Sequence, residues 1–379
     1  MTIAAYFSPA NAKRLIVKIG SALLVDAKGA IRRDWLAGVV ADIAARARAG
    51  QQVAIVSSGA IALGARRLGL PKGGRASLED AQAAAATGQI GLSHAWAELL
   101  GAQGLTAAQI LVTLDDLEDR RRYLNAAATL DRLLALGVVP IINENDSVAT
   151  EEIRFGDNDR LAARIGQAAR ADGVILLSDV DGLYTANPSV DPNATLIPEI
   201  RSIDARIMAM ADGGSASGMG SGGMISKLQA AKIAVGSGIH LAIVSGKRDD
   251  PLAAFEADGR GTLFLGGDRK SAGGGARKAW IAGRLTARGR IKVDAGAAEA
   301  LRAGRSLLAA GATEVTGTFA RGDVVEIIDG AGAVLARGLA EYDAADAARI
   351  AGHRSAAHAE LLGYAPRSAL VHRDHLVLA

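Results

Sequence analysis

The feature that most constrains this chain is the alternation of short apolar runs with longer helical patterns between residues 14 and 265. Residues 15–19, 53–56, 108–112, 138–142, 174–177 and 241–244 are apolar-rich runs bounded by turn formers, as buried strands are. Between most of them, 34–49, 78–101, 118–136, 158–169 and 224–236 carry helical periodicity. Strands separated by helices return in the same direction, so the pattern predicts an α/β fold: a mainly parallel sheet sandwiched by helices. In such sheets ligands sit beyond the carboxyl ends of the strands. The polar motifs of this chain fall at those ends.

Residues 141–159, IINENDSVATEEIRFGDND, are the densest of these motifs. An apolar strand runs into Asn143-Glu144-Asn145-Asp146-Ser147, and Gly156-Asp157-Asn158-Asp159 then opens an amphipathic helix through Leu161 and Ile165. Helix starts offer free backbone N–H groups and the positive end of a dipole. Carboxylates and amides around two such turns suit a small, polar, charged ligand. The plain alternative is a pair of solvated loops rich in turn formers.

Four further motifs share this placement. Val17-Lys18-Ile19-Gly20-Ser21 ends the first strand. A lysine in an apolar run is costly unless its ammonium meets an anion, so Lys18 reads as a phosphate grip or as an edge-strand lysine turned to water. Ser57-Ser58-Gly59-Ala60 reads as a carboxylate cradle at a helix start or as an ordinary serine N-cap. The absence of G-x-S-x-G argues against a nucleophilic serine. Ser178-Asp179-Val180-Asp181-Gly182-Leu183-Tyr184, followed by Thr185-Ala186-Asn187-Pro188, reads as a loop for adenine and ribose or as a structural turn. The run from Gly218 to Lys227 supplies a glycine loop, a helix start and a lysine one turn in, all converging on a polyphosphate. Its alternative is a surface loop, since no strand immediately precedes it and no Walker A sequence is present.

Together these parts suit phosphoryl transfer, which asks for positioning and charge neutralisation more than covalent chemistry. An acceptor carboxylate is already ionised at neutral pH and needs no general base. His94 and His240, in helix and strand-start contexts, read as structural.

Composition narrows the setting. With no cysteine, disulfides and thiolate metal sites are excluded. The first twelve residues lack the basic start and apolar run of a signal peptide, and no stretch approaches the roughly 18 apolar residues of a membrane span. The expectation is a soluble cytoplasmic protein with no membrane partner. A net charge of +3 without long single-sign blocks argues against a dominant polyanion, although the pI of 9.2 leaves a weak one open. The 379 residues suffice for two domains. The boundaries read as 12–266, a glycine-rich linker at 267–279, and a small domain of mixed β character at 280–379. The last shows strands at 324–328 and 334–336, and helices near 295–303, 344–350 and 355–362.

These motifs are recognisable as a set. VKIGS, SSGAIALG, the INENDSV and GDND pair, LLSDVDGLYTANP and SGGMISKLQAA resemble the glutamate 5-kinases of the amino acid kinase family, which make γ-glutamyl phosphate for proline synthesis. IKVDAGAAEAL, GRSLL, RGDVV and IAGHRS look like the PUA domain of long-form bacterial members. The resemblance implies that Lys18 and Lys227 contact the transferring phosphoryl group from two sides and that Asp159 holds them in place. It implies glutamate binding by Ser58, Asp146 and Asn158, with Gly59, Ala60 and Asp157 close by. ATP would lie on Lys18, Ser178 and Asp179, and on Ser221, Gly222, Gly223, Met224, Ile225, Ser226 and Lys227. The resemblance further implies magnesium carried by the nucleotide, with no dedicated protein metal site, feedback inhibition by proline, and a homo-oligomer built on the kinase domain. A glutamyl phosphate reductase is a candidate partner, because acyl phosphates are short-lived in water. Two departures are visible: Ser57 stands where the family commonly has threonine, and so do Ser221 and Ser226 in the run from Ser221 to Lys227. Each keeps the hydroxyl and loses a methyl, so altered affinity is expected, with activity retained.

Acetylglutamate, aspartate, carbamate and uridylate kinases share the sheet, glycine loop and early lysine. The Asn143–Asp146 and Gly156–Asp159 pair and the appended domain favour glutamate 5-kinase over them. An RNA-binding protein is the alternative of another class. From residue 277 onward fourteen Lys/Arg face eleven Asp/Glu, too even for a phosphate-backbone stripe, and no row of aromatics offers stacking. The C-terminal histidines, including His372 and His375, read as surface or core residues.

Overall fold

The structure is a computed structural model, and it describes residues 2–148, 157–211, 223–267 and 287–378. It divides into two compact units, Met1–Glu118 with Asn125–Arg269, and Lys270–Ala379 with Asp119–Leu124. The expected linker at 267–279 lies, but for Gly267, outside the described residues. No helix among the described residues is long and apolar enough to cross a membrane.

In the larger unit the strands are β1 (Arg14–Ile19), β2 (Gln52–Ser57), β3 (Ala107–Val112), β4 (Val139–Glu144), β5 (Gly173–Ser178), β6 (Glu199–Ile200), β7 (His240–Ser245) and β8 (Thr262–Phe264). They form one sheet in the order β3-β4-β2-β1-β5-β7-β8-β6. All pairings are parallel except β7 with β8. The six strands expected from apolar runs are present. The two and three residues of β6 and β8 are too short to give a periodic signal.

The helices are α1 (Ser21–Leu24), α2 (Arg33–Arg48), α3 (Ala60–Leu68), α4 (Leu78–Ala102), α5 (Leu114–Glu118), α6 (Arg120–Ala135), α7 (Asp157–Ala168), α8 (Ala205–Ala211), α9 (Met224–Val235) and α10 (Pro251–Asp258). The expected helix at 118–136 is α6, and α1, α3, α5, α8 and α10 are additional. Side chains alternate across a strand, and β1 shows the consequence. Leu15, Val17 and Ile19 join Trp35, Val39, Ile43, Leu92 and Trp96 in one core. Ile16 and Lys18 point to the opposite face, where Ile16 lies near Gly166 of α7. That face is covered by α7 and α9, which pack on each other.

Beside the sheet, α3 and α4 approach so closely that side chains are excluded at the crossing. A Cβ on Gly64 would lie 1.7 Å from the Ala84 carbonyl oxygen, and one on Gly88 would lie 1.8 Å from that of Ala60. The glycines let α4 lie directly against the turn that starts α3.

The smaller unit holds β9 (Gly289–Val293), α11 (Ala295–Arg302), β10 (Ala312–Gly317), β11 (Val324–Ile328), β12 (Val334–Ala340), α12 (Ala344–Ile350), α13 (Ser355–Leu362) and β13 (Val371–Leu378). Its sheet runs β10-β9-β11-β12-β13, with β9 and β11 parallel and the other pairs antiparallel. This is the mixed β character expected. Ile291, Leu301, Val325, Ile327 and Ile350 form its core.

Candidate active site

Lys18 sits near the carboxyl end of β1, between β2 and β5, and is 7% exposed. The edge-strand alternative is therefore overturned: Lys18 lies in the middle of the sheet. Its Nζ contacts Asp159 Oδ1 at 2.6 Å, and Lys227 Nζ donates to Asp159 Oδ2 at 3.1 Å. Asp159, in the first turn of α7, is fully buried. Burial pushes its carboxyl up, but the two ammonium groups and their hydrogen bonds outweigh this and hold it below the usual carboxylate range. Burial pushes the Lys18 ammonium down, Lys227 adds to that, and attraction to Asp159 offsets only part of it. Two buried cations share one buried anion, which leaves a positive charge that an anionic ligand would complete.

Lys227 also lines a cavity of about 970 Å³. Asp179, Gly182 and Tyr184 border it on one side, and Gly223, Met224 and Ile225 at the start of α9 on another. The volume suits a nucleotide-sized ligand. Ser178 Oγ donates to Asp179 Oδ1 at 3.1 Å. The loop after them is pinned: Tyr184 Oη donates to Asp181 at 3.0 Å, and Arg260 Nε donates to Asp181 Oδ2 at 2.7 Å. A Cβ on Gly182 would lie 2.5 Å from Thr262 Oγ1, so only glycine lets the loop pass there. Ser221 and Gly222 lie outside the described residues. Of the remaining glycine-loop candidates, Gly223 caps α9, and Met224, Ile225 and Ser226 form its first turn.

Ser57 ends β2 beside β1, and the N–H of the next residue, Ser58, donates to the Ile19 carbonyl at 3.2 Å. The N-cap of α3 is Gly59, at φ +106°, with no side-chain cap, so the serine N-cap alternative is overturned. Ser58 Oγ instead accepts from Asn158 Nδ2 at 2.8 Å. Ala60 follows as the first residue of α3. Ser57 Oγ accepts from the buried Trp96 Nε1 at 3.1 Å. Asp146 is 8% exposed, and its charge reaches Arg75, whose guanidinium burial pulls down. The Asp157 backbone begins α7; its side chain lies outside the described residues. One helix start thus touches both halves, Asn158 reaching the serine turn and Asp159 the lysines.

The model of the amino acid kinase family matches residues 13–245, and that of the PUA domain residues 289–362. The chain belongs to the amino acid kinase family. Three relatives are named glutamate 5-kinase. That of Sphingopyxis alaskensis is 70% identical over 98% of this chain and 99% of its own. That of Zymomonas mobilis is 63% identical over 99% and 93%, and that of Novosphingobium aromaticivorans 63% over 96% and 96%. Among solved structures, an isopentenyl phosphate kinase covers 66% of this chain and 100% of its own at 18% identity and a TM-score of 0.45, too little to add to the family assignment.

Sequence reasoning missed several parts of this family member's site. Gly246 N–H donates to the Ser178 carbonyl at 2.8 Å, which brings the end of β7 beside Ser178. Ser245, Lys247 and Arg248 there line the cavity, as does Arg260. Trp35 Nε1 fixes that turn by donating to the Gly246 and Arg248 carbonyls, each at 2.9 Å. Gln89 was also missed: it stands in Thr87-Gly88-Gln89-Ile90-Gly91 of α4, where nothing local marks it. Among the described residues no three His, Cys, Asp or Glu side chains converge as a metal site.

Proposed function

We propose that the protein transfers the γ-phosphoryl group of ATP to the γ-carboxylate of L-glutamate, giving L-glutamyl 5-phosphate, the first step of proline biosynthesis. The observation that carries this reading is the buried Lys18–Asp159–Lys227 arrangement opening on the cavity. The relatives named glutamate 5-kinase support the choice of acceptor.

In this reading ATP occupies the cavity, with its phosphates toward Lys227, Lys18 and the start of α9. Asp159 keeps the two ammonium groups apart and aimed, so that they meet the charge spreading over the transferring phosphoryl oxygens. Ser58, Asp146 and Asn158 hold glutamate, with Gly59, Ala60 and Asp157 beside it. Its γ-carboxylate attacks without a base. Mg²⁺ bound to a nucleotide takes most of its ligands from phosphate and water. The described residues offer no cage of their own, and the ion, arriving with ATP, would neutralise phosphate charge. The catalytic domain is assigned to 12–266, a linker to 267–279, and a modulatory or assembly role to 280–379, in the cytoplasm.

The deciding experiment is ATP- and magnesium-dependent hydroxamate formation with hydroxylamine, comparing L-glutamate, N-acetyl-L-glutamate and L-aspartate. Product from L-glutamate alone is expected; product from another acid would overturn the substrate. Asp146→Ala is expected to raise the glutamate KM chiefly, and an unchanged KM would move the substrate elsewhere. Proline is proposed as a feedback inhibitor, so a rate unaffected by proline at low glutamate would remove that regulation. A homo-oligomer is proposed as well, and a monomer mass by light scattering would exclude it. Direct transfer to a glutamyl phosphate reductase would be excluded by equal flux across a dialysis membrane.

A further inference from the structure

Behind the serine turn, Gln89 and Asn143 are 8% and 2% exposed, so their hydrogen bonds are made within the protein. Two backbone groups show which way the amides in this cluster are turned. The Glu144 N–H can only donate, and it meets Asn143 Oδ1 at 2.9 Å. Asn143 Nδ2 therefore faces Gln89 and donates to its Oε1 at 2.7 Å, while Gln89 Nε2 donates to Ser93 Oγ at 3.1 Å. At the other end, the Ser57 carbonyl can only accept, and it lies 3.5 Å from Asn158 Nδ2. The same nitrogen donates to Ser58 Oγ at 2.8 Å and to Asn143 Oδ1 at 3.3 Å. The acceptors around Asn158 thus meet its nitrogen. Its Oδ1 is left buried with no hydrogen-bond partner, a state that native proteins seldom tolerate unless a ligand or water completes it.

We propose that Gln89 is a positioning residue that, through Asn143, locks the Asn158 amide so that its oxygen is kept for an N–H of the substrate α-ammonium group. The inference rests on glutamate as the acceptor. At neutral pH glutamate carries two carboxylates, which only accept, and a single N–H-bearing group, so the ammonium is its one donor to a lone carbonyl oxygen. Turning the amide over would set its oxygen against the Ser57 carbonyl and its NH₂ against the ammonium, unfavourable at both ends. In the proposed function Asp146 supplies charge to the substrate, and Asn158 supplies direction. The selection therefore favours a ligand that presents an N–H at this point over one that lacks it, and it is set from α4, one layer behind the ligand.

Steady-state kinetics on the full chain tests this. Gln89→Met removes the acceptor for Asn143 at similar length. It is expected to raise the glutamate KM about tenfold, with kcat and the ATP KM nearly unchanged, the scale of a lost charged hydrogen bond. Gln89→Glu keeps the acceptor and is expected to hold the glutamate KM near the wild-type value. Glutarate, which lacks the ammonium, is expected to inhibit the wild type and Gln89→Met equally. Ser93→Ala frees the Gln89 amide to turn and reports the same effect, smaller, if the methionine variant fails to fold. A wild-type KM in Gln89→Met, equal losses in the Met and Glu variants, or a parallel loss of glutarate binding would each overturn the proposal alone. Failure of the wild type to make hydroxamate from glutamate would overturn the functional reading, and the proposal with it.

Discussion

Of the carboxylates held by two cations, one from each unit can be set side by side: Asp159, held by Lys18 and Lys227 in the larger unit, and Glu326, held by Arg290 and Arg337 in the smaller. In the smaller unit the contacts are 3.1 Å and 2.9 Å, and the three residues are direct neighbours across β9, β11 and β12. The arginines keep 63% and 42% of their side-chain surface in water, whereas the two lysines keep 8% and 6%. Both carboxyls are held low, but for different reasons. The hydrogen bond from Arg337 is the largest influence on Glu326 and, with that from Arg290, outweighs the burial of its side chain. At Asp159 burial is the largest influence and works the other way, so the lysines must override it. The same charge pattern is a cross-strand ladder in one unit and a loaded site in the other. Solvent makes the difference, since water reaches the arginines of the first and is excluded from the lysines of the second.

The sharpest way to break the comparison is to remove a cation from each. Lys227→Ala is expected to lower kcat by about 10³, because its charge matters most in the transition state, whereas Arg337→Ala should leave kcat unchanged. Similar effects on kcat from both would end the contrast. Neutralising the anions comes next. Asp159→Asn leaves two buried ammonium groups facing each other and should cost about 3–5 kcal/mol in denaturant unfolding. For Glu326→Gln the expected cost is below about 1 kcal/mol, and a larger loss would make the exposed ladder a structural anchor.

A smaller effect lies in pH. Because Lys18 is held below 10.5, its proton leaves at lower pH than that of a free lysine, and the alkaline limb of kcat should fall before 10.5. Between those two values the unfolded chain binds more protons than the folded one. The buried charge therefore costs stability at neutral pH, and the cost fades as pH rises toward 10.5. Asp159 works oppositely. Its contribution is present above the ordinary 3.8 of a free aspartate and is lost as pH falls through the lower folded value. Lys18→Arg, which stays charged, should move the alkaline limb upward, and an unmoved limb would assign it to another group.

Much of this was legible in the chain. The apolar runs marked six strands of the larger sheet, because a strand buried on both faces must be apolar along its length. The motif residues Lys18, Ser58, Asn158, Asp159 and Lys227 stood out because polar groups at strand ends and helix starts interrupt otherwise apolar patterns. The short α5 and the brief β6 and β8 were not legible, since so few residues carry no period. Nor were Trp35, Gln89 and Arg260. Each lies within a segment that looks ordinary locally, and each acts on a residue distant in sequence.

By itself, then, the sequence determined which segments become strands and helices, on which ends the polar groups gather, and which family the chain resembles. These follow from local periodicity and from the chemistry of single residues. Only the tertiary structure decided that Lys18 lies in the middle of the sheet, that Asp159 meets both lysines, and that one amide oxygen of Asn158 remains unclaimed. Those are matters of partner choice. They depend on strand order, on the face a side chain takes, and on which donors burial has already used, and no short window of sequence contains them.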